Sequence, residues 1–468
     1  MNFIKTYKNP ILVALVSIVL YLGFAYNLER SEFVKLICLY SALFFTSYLF
    51  IEKYLSRHPK NFWVLASIGI IFRLVFINAI PNLSQDFYRF LWDGRLLIQG
   101  FSPYLFTPAT SSAFAVTIAQ SQELIEGMGA LNASHFSNYP PVNQLFFTIA
   151  ALVAGKSVLG SVIALRFIII LADIGILYFG KKILEQLNLP VKNIFWYFLS
   201  PFIIIELTGN LHFEGVMLFF FVWALYLLFK RKWFWAAVLI GVSVSVKLLP
   251  LLFLPLFLKY FSNNNQITKA SKIFGASILK LSKFYSIIII TVVLTFLPFI
   301  SSEFIQNFAA TIGLWFQNFE FNASVYYIIR WVGFQVVGWN IIGTVGKILP
   351  IIVVLFVLGL SFFNKNKKPR PLIVSMLFAV SFYFLLSTTV HPWYIATPLI
   401  LSVFTRYKFP IVWSFMVILS YSAYGNEGFD EKLWLVALEY ITVIGVATWE
   451  IIHSKTILEE KTPKIIGD

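Results

Sequence analysis

Residues 61–95 read NFWVLASIGIIFRLVFINAIPNLSQDFYRFLWDGR, an apolar run that passes directly into a charged stretch. The apolar part, residues 61–80, has the length that a helix needs to cross a bilayer, roughly 20 residues. Only 12% of the whole chain is charged, yet two acids and two arginines follow within ten positions: Asp86, Arg89, Asp93 and Arg95. The stretch therefore predicts a membrane helix that delivers a charged segment to one face of the membrane.

Composition predicts an integral membrane protein and excludes a soluble one. Of 468 residues, 59% are hydrophobic, the mean hydropathy is +0.81, and apolar runs of spanning length recur along the chain. The net charge of +15 comes from short basic clusters between these runs, as expected of cytoplasmic loops, so nucleic acid is not an expected partner. The single cysteine, Cys38, excludes a disulfide framework and a thiolate metal cluster.

The charge pattern predicts an all-α bundle of about 14 transmembrane helices, with both termini cytoplasmic, formed by one domain over residues 1–468. Two segments are predicted to lie outside: residues 81–143, a long loop with juxtamembrane helices, and residues 301–339. Residues 144–155 are too short for a comfortable crossing and are predicted to be interfacial or re-entrant. Residues 233–260 are predicted to be a broken helix pair with Lys247 near the turn. The predicted inside loops are basic: residues 52–60, 181–192, 230–232, 259–283, 365–370, 406–408 and the carboxyl tail.

This topology places widely separated polar residues at one membrane face. They are Asp86, Arg89, Asp93, Arg95, His212, Glu214, Lys247 and His391. In a helix, Asp86, Arg89 and Asp93 share a face, and Phe90 and Leu97 lie beside it, where they can contact the bilayer. A solvated juxtamembrane helix with ordinary ion pairs would also explain the charges. We nevertheless expect one external functional site, because the positive-inside rule does not require such clustering.

Chemistry suggests which reaction such a site could perform. No nucleotide is supplied outside the membrane, so a lipid-linked phosphosugar is the expected donor for glycosyl transfer. Its leaving group needs cations against the phosphate, with Arg89, Arg95 and Lys247 as candidates. The acceptor hydroxyl needs one base, and Asp86 is the candidate. In-line attack on a lipid β-phosphosugar would invert the anomeric centre.

The same residues resemble the GT-C superfamily of polyprenyl-phosphate-sugar-dependent glycosyltransferases. Residues 86–104 are similar to the first-loop signature of the mannosyltransferase that adds the first mannose of GPI anchors, and to bacterial polyprenyl-phosphomannose-dependent α-mannosyltransferases. The resemblance continues through Tyr139-Pro140-Pro141, the helix with Arg166 and Asp173, Asn210 to Glu214, Val246 to Pro250, and His391-Pro392-Trp393-Tyr394. Where the GPI enzyme has Asp-x-Asp, this chain has Ser84-Gln85-Asp86, which leaves Asp86 as the sole base and weakens any case for a metal.

The resemblance implies a membrane hexosyltransferase, with mannose as the expected sugar and a glycan or glycolipid as the acceptor. It implies a site at the outer face of a bacterial inner membrane, among membrane lipids, with no metal or other cofactor. The residues expected to bind substrate are Arg89, Asp93, Arg95, Tyr139, His212, Glu214, Lys247, His391 and Tyr394. Asp93 is expected to orient Arg89 or Arg95.

Each secondary motif also has a structural explanation. Tyr139-Pro140-Pro141 can start a helix, and His212 with Glu214 can cap one. Lys247 can extend its ammonium to the membrane surface. His391-Pro392-Trp393-Tyr394 can be a turn with an interfacial aromatic anchor. Arg166 and Asp173 are expected to pair with structural neighbours.

Other functions remain open at this point. A transporter or flippase of lipid-linked sugar intermediates would have as many helices, but it should show internal repeats and a polar path at the membrane midplane, which we do not find. A scaffold would have no need for clustered acid and base. A transferase of another group, such as a lipid phosphate, would use similar residues.

Overall fold

In a computed structural model, which describes residues 2–54, 61–110, 117–261, 270–425 and 428–459, nearly all regular structure is helical. Parts of the predicted basic loops at 52–60 and 259–283, and the basic tail, lie outside these ranges. The first half contains α1 (Asn2–Tyr26), α2 (Phe33–Tyr48), α3 (Asn61–Leu74), α4 (Asp86–Ile98), α5 (Ser121–Ala133), α6 (Pro141–Ala154), α7 (Val158–Gln186), α8 (Phe195–Phe198), α9 (Pro201–Ile203), α10 (Glu214–Phe229) and α11 (Trp233–Val244).

The second half contains α12 (Leu258–Phe261), α13 (Ala270–Phe296), α14 (Ser302–Gln317), α15 (Val325–Val337), α16 (Ile342–Phe363), α17 (Pro369–Leu386), α18 (Ala396–Val403), α19 (Phe409–Met416) and α20 (Leu433–Glu459). Tighter or wider helical turns join several of these: Leu49–Tyr54, Val191–Ile194, Ile204–Gly209, Leu249–Phe257, Leu297–Phe299, Pro392–Ile395 and Val417–Ala423. A short antiparallel hairpin pairs β1 (Tyr424–Gly425) with β2 (Gly428–Phe429).

The chain is an all-α integral membrane protein. Among the described residues, seven helices are long and apolar enough to cross a bilayer, and a pair bent by 44° at residues 199–200 would make an eighth. Eight shorter apolar helices accompany them. The seven are Lys8–Tyr26, Phe33–Tyr54, Val158–Gln186, Ile278–Phe299, Ile342–Phe363, Pro369–Leu386 and Leu433–His453. The predicted number of about 14 requires several shorter helices to cross as well, so that number stays a prediction.

The predicted break around Lys247 is confirmed. Helix α11 ends at Val244, and the backbone resumes a tight helical turn only at Leu249. The start of α6 satisfies part of the opened backbone: Val142 N–H donates to the Ser245 carbonyl, and the Asn143 amide donates to the Val246 carbonyl, both at 2.9 Å. Irregular backbone is tolerated at membrane depth where protein groups satisfy it in this way.

Helix α4 lies unusually close to α6. A Cβ at Gly94 would come within 2.3 Å of the Phe147 carbonyl oxygen, so only glycine fits at this crossing. This contact fixes α4, which carries the charged stretch, against the body of the protein. The arrangement requires a glycine in the middle of the acid- and arginine-rich helix.

Buried polar contacts hold the helices behind α4. Arg73 of α3 pairs with Asp173 of α7 at 2.8 Å, and neither side chain has exposed surface. Arg166 donates to the carbonyls of Ile77, Thr208 and Gly209. Backbone carbonyls at the ends of helices lack partners within the helix, and here the Arg166 guanidinium donates the missing hydrogen bonds. Arg166 and Asp173 thus contact structural neighbours.

Candidate functional site

A cavity of about 710 Å³ gathers residues from almost the whole length of the chain. Its walls come from the α1–α2 loop, residues 84–89 and 131–140, the start of α10, the break at Lys247, residues 319–321, residues 389–394 and the hairpin. Seven of the ten predicted site residues line it: Asp86, Arg89, Tyr139, Glu214, Lys247, His391 and Tyr394. Asp93, Arg95 and His212 do not.

Asp86 is the first residue of α4 and lies half-buried at the cavity wall. Its backbone N–H donates to the Ser84 hydroxyl at 3.3 Å. Burial raises the pKa of the Asp86 carboxyl, while Lys247, Arg30 and the Tyr139 hydroxyl act in the opposite direction. A carboxylate whose pKa is raised but balanced by cations is suited to accept a proton near neutral pH.

Asp93 lies two helical turns after Asp86 on α4 and is fully buried. Its Oδ1 accepts from Arg89 Nε at 2.7 Å, and its Oδ2 accepts from the Ser137 hydroxyl at 2.6 Å and the Gln144 amide at 3.0 Å. Arg89 also donates to the carbonyls of Asn132 and His135. Asp93 therefore holds Arg89 and ties α4 to the α5–α6 connection, and it has no surface at the cavity.

The structure does not place Arg95 at the cavity. The guanidinium of Arg95 donates to the Ala119 carbonyl, to the Gln120 side chain at 3.3 Å and to the Lys156 carbonyl at 3.2 Å. These partners join α4 to the loop before α5 and to the end of α6. Arg95 is two positions from Asp93, and such neighbours point to different sides of a helix.

The predicted bilayer contact of Phe90 is wrong. Phe90 is buried, its ring stacks on that of Phe147 with centroids 4.6 Å apart, and it also meets the edge of Phe213. The charged helix α4 is packed against α6, so the side chain beside its polar face meets protein and not lipid.

Lys247 and Glu214 form an ion pair at the cavity wall. The Lys247 side chain keeps 21% of its surface exposed, whereas Glu214 keeps 2%. Glu214 is the first residue of α10, where the helix dipole favours a negative charge. Glu214 Oε2 is buried without a hydrogen-bond partner among the described residues. The pair therefore retains hydrogen-bonding capacity within the site.

Two histidines stack on Trp393. The ring centroids of His212 and His391 lie 3.6 Å and 4.5 Å from that of Trp393, and both rings are nearly parallel to it. Burial lowers the pKa of His391 to about 3, and Lys247 and Arg30 contribute in the same direction. Burial likewise lowers the pKa of His212. Both imidazoles are thus neutral at pH 7 in this arrangement, and His212 supports the cavity wall from behind Trp393.

Residues 319–321, within the predicted second external segment, also reach the cavity. Phe321 N–H donates to the Thr388 carbonyl at 3.1 Å, and Val390 N–H donates to the Phe321 carbonyl at 2.8 Å. Glu320 accepts from the Tyr326 hydroxyl and the Asn340 amide, each at 2.5 Å, and pairs with Arg330. This bonding fixes residues 319–321 beside His391.

Arg30 was not among the predicted site residues, yet it lines the cavity from the α1–α2 loop. Its guanidinium carbon lies 3.2 Å from the centroid of the Tyr424 ring on β1. A signal for it existed in the sequence: Arg30 is a basic residue in a loop that the charge pattern predicts to be outside. Glu320, Tyr424 and Phe429 were missed as well.

Comparison with known proteins adds two family matches that together cover most of the chain. Residues 14–263 match the family described as alpha-(1->6)-mannopyranosyltransferase, N-terminal domain, and residues 207–457 match mannosyltransferase (PIG-M). The chain is also similar to alpha-(1->6)-mannopyranosyltransferase A of Corynebacterium glutamicum, with 25% identity over 205 residues. That alignment covers 41% of this chain and 38% of the relative.

Each family match spans more than half of the 468 residues, and the two overlap at residues 207–263, which contain His212, Glu214 and Lys247. The matched regions include every residue that we have placed at the cavity wall. The chain belongs to the membrane mannosyltransferase families that these two matches describe.

Proposed function

We propose that the protein transfers mannose from a polyprenyl-phosphate donor to a glycan or lipid-linked acceptor, and that the 710 Å³ cavity is its active site. The observation that carries the proposal is the position of Asp86, a half-buried carboxylate that shares one cavity with Lys247 and Arg30. A base and phosphate-binding cations are the groups that such a transfer requires.

The apolar part of the cavity wall suits a lipid-linked donor. Leu248, Leu249, Leu252 and Phe384 line the same cavity as the charged residues. A prenyl chain can lie against such side chains while its phosphate meets the cations. A soluble nucleotide donor would gain nothing from this wall.

The reaction proceeds in one displacement. The acceptor hydroxyl gives its proton to Asp86 as its oxygen forms a bond to the anomeric carbon on the face opposite the phosphate. The bond between the anomeric carbon and the phosphate oxygen breaks, and its electron pair leaves with the polyprenyl phosphate. The nearby cations stabilise the charge that develops there, so no proton needs to be donated to the leaving group, and the anomeric centre inverts.

The remaining assignments concern the membrane. We propose about 14 crossings, both termini in the cytoplasm and the cavity at the outer face of a bacterial inner membrane. The basic clusters support this orientation because they occur in the loops assigned to the inside. No metal or other cofactor is required by the reaction as written.

The test is incubation of the purified protein in lipid nanodiscs with radiolabelled polyprenyl-phosphomannose and a membrane acceptor extract. Label in a larger glycan or glycolipid, absent with Asp86→Asn, supports the proposal. Glu123→Gln is the matched control, because Glu123 is an exposed acid of the same loop and does not line the cavity. In a parallel assay with the protein in proteoliposomes, labelled donor that crosses the membrane without transfer identifies a transporter. In the nanodisc assay, transfer of labelled mannose together with its phosphate identifies a different transferase.

A further inference from the structure

We propose that Arg30 binds the phosphate of the lipid-linked donor, which makes the α1–α2 loop part of the donor site. This inference rests on the proposed function for the identity of the donor. Its chemical content is narrower: at Arg30 the cavity holds the phosphate of a prenyl phosphate, which is a diester in the donor and a monoester in the leaving group. Neither the family descriptions nor the charged stretch around Asp86 assigns this loop a role.

The pairing of the cavity's cations carries the argument. Arg89 is bound to Asp93 and to two backbone carbonyls, and Lys247 is paired with Glu214. Arg30 lines the same cavity, and within the described ranges it forms no salt bridge. Arg30 is half-buried in the cavity wall, and a bound phosphate would supply the anionic partner that no salt bridge gives it within the described ranges.

The geometry presents the guanidinium edge to a ligand. Arg30 stacks on the ring of Tyr424, with its guanidinium carbon 3.2 Å from the ring centroid. Stacking occupies the face of the guanidinium and leaves its N–H groups free around the edge. Arg30 Nε is buried, and no hydrogen-bond partner for it occurs in the described part of the chain. A planar fork of donors held against an aromatic ring is suited to two phosphate oxygens.

Arg30 acts electrostatically on the residues proposed to take part in the reaction. Arg30 and Lys247 line the same cavity as Asp86 and His391, and both cations lower the pKa of Asp86 and that of His391. Because His391 is neutral there, it can contribute a hydrogen bond but no charge of its own. The leaving phosphate would therefore gain positive charge from Arg30, which forms no salt bridge among the described residues, while Lys247 shares its charge with Glu214.

The experiment measures binding to the purified full-length protein, and it does not depend on sugar transfer. Three probes separate the sources of affinity: citronellyl phosphate as a short prenyl phosphate, citronellol as the same chain without phosphate, and inorganic phosphate. We expect wild type to bind citronellyl phosphate at least about ten-fold more tightly than citronellol, the effect of one charge-assisted contact. Inorganic phosphate should compete with citronellyl phosphate for wild type at high concentration, because the inference assigns the anion its own contact at Arg30.

Arg30→Gln should weaken citronellyl phosphate binding about ten-fold or more and leave citronellol binding unchanged. Lys35→Gln is the matched control, because it also removes a positive charge near the α1–α2 loop. Lys35 pairs with Glu32 at 3.0 Å and does not line the cavity. Wild-type affinity in Arg30→Gln would overturn the inference, as would equal binding of phosphate and alcohol by wild type.

A second variant, Arg30→Lys, decides the question if the first variant does not fold. If Arg30→Gln gives no folded protein, Arg30→Lys decides: weaker citronellyl phosphate binding with unchanged citronellol binding supports the inference, and unchanged binding of both overturns it. The results can contradict the proposed function and the inference about Arg30 independently of each other. Binding that depends on Arg30 without any mannose transfer would contradict the proposed function alone, whereas transfer with an unchanged donor KM in Arg30→Gln would contradict this inference alone.

Discussion

Lys247 and Glu214, which are 33 positions apart, form an ion pair at the wall of the cavity that also holds Asp86. The pair brings a broken membrane helix to the start of another helix, directly beside the proposed base. The position of Lys247 also affects the proposed base: the Lys247 charge lowers the pKa of Asp86, while burial raises it.

The first prediction concerns the pH profile of transfer. Asp86 acts as a base only when ionised, so kcat/KM should fall as the pH drops through its pKa, and burial places this acid limb above the range of an ordinary aspartate. Lys247→Met removes a charge that lowers that pKa, so the acid limb should move to higher pH. The donor KM should also rise. An unmoved acid limb in folded Lys247→Met would contradict the electrostatic effect of Lys247 on the pKa of Asp86.

The second prediction separates Arg95 from the donor site. Arg95→Ala should lower the thermal unfolding temperature, because it removes hydrogen bonds to the Ala119 and Lys156 carbonyls, with a loss of about 1–3 kcal/mol in the free energy of unfolding. The donor KM of the folded fraction should stay near the wild-type value. A selective rise in donor KM with unchanged thermal stability would return Arg95 to the phosphate.

A third prediction concerns Asp93, which holds Arg89. Asp93→Asn should reduce kcat less than Asp86→Asn and should lower thermal stability, because Asp93 is buried and bound by three side chains. A double-mutant cycle of Asp93→Asn with Arg89→Gln should be non-additive, since both changes break the same contact. Additive losses would show that the two residues act independently.

The fourth prediction tests the crossing of α4 and α6. Gly94→Ala should destabilise the protein and lower activity, because its Cβ would lie 2.3 Å from the Phe147 carbonyl oxygen. Gly343→Ala is the matched control: Gly343 lies in α16, and no atom outside that helix's local backbone lies within 4 Å of an added Cβ. Similar thermal unfolding temperatures for the two variants would contradict the close crossing.

The fifth prediction concerns orientation in the membrane. In a Cys38→Ser background, Glu126→Cys should be labelled by an impermeant thiol reagent in intact cells, and Lys365→Cys only after lysis. Both positions are exposed. The reverse labelling pattern would place the cavity on the cytoplasmic side.

Patterns in the sequence predicted those structural elements that residues close together in the chain determine. Helix α10, Glu214–Phe229, is such an element, since an uninterrupted apolar run follows an acid at its start. The break at Lys247 was predictable because a charge and two prolines interrupt an apolar run. The grouping of Asp86, Glu214, Lys247 and His391 followed from the charge pattern, which places all four on one membrane face, and they line one cavity.

Long-range contacts were not predictable from the same patterns. Whether Arg95 faces the cavity depends on where residues 119–120 and 156 lie, and helix periodicity does not supply that position. Phe90 could be assigned to lipid or protein only by knowing that α6 covers it. Arg30 was missed because its loop contains no motif, and its place in the cavity wall, against Tyr424 of the hairpin, depends on a long-range contact.

The most direct test of the account is the transfer rate of purified Asp86→Asn with polyprenyl-phosphomannose, measured beside wild type and Glu123→Gln at equal amounts of folded protein. Asparagine keeps the size of the side chain but cannot accept the acceptor's proton. We predict that Asp86→Asn binds the donor and transfers mannose at least about a hundred-fold more slowly, the contribution of a positioned general base, while Glu123→Gln keeps the wild-type rate. A wild-type rate in Asp86→Asn would contradict the account.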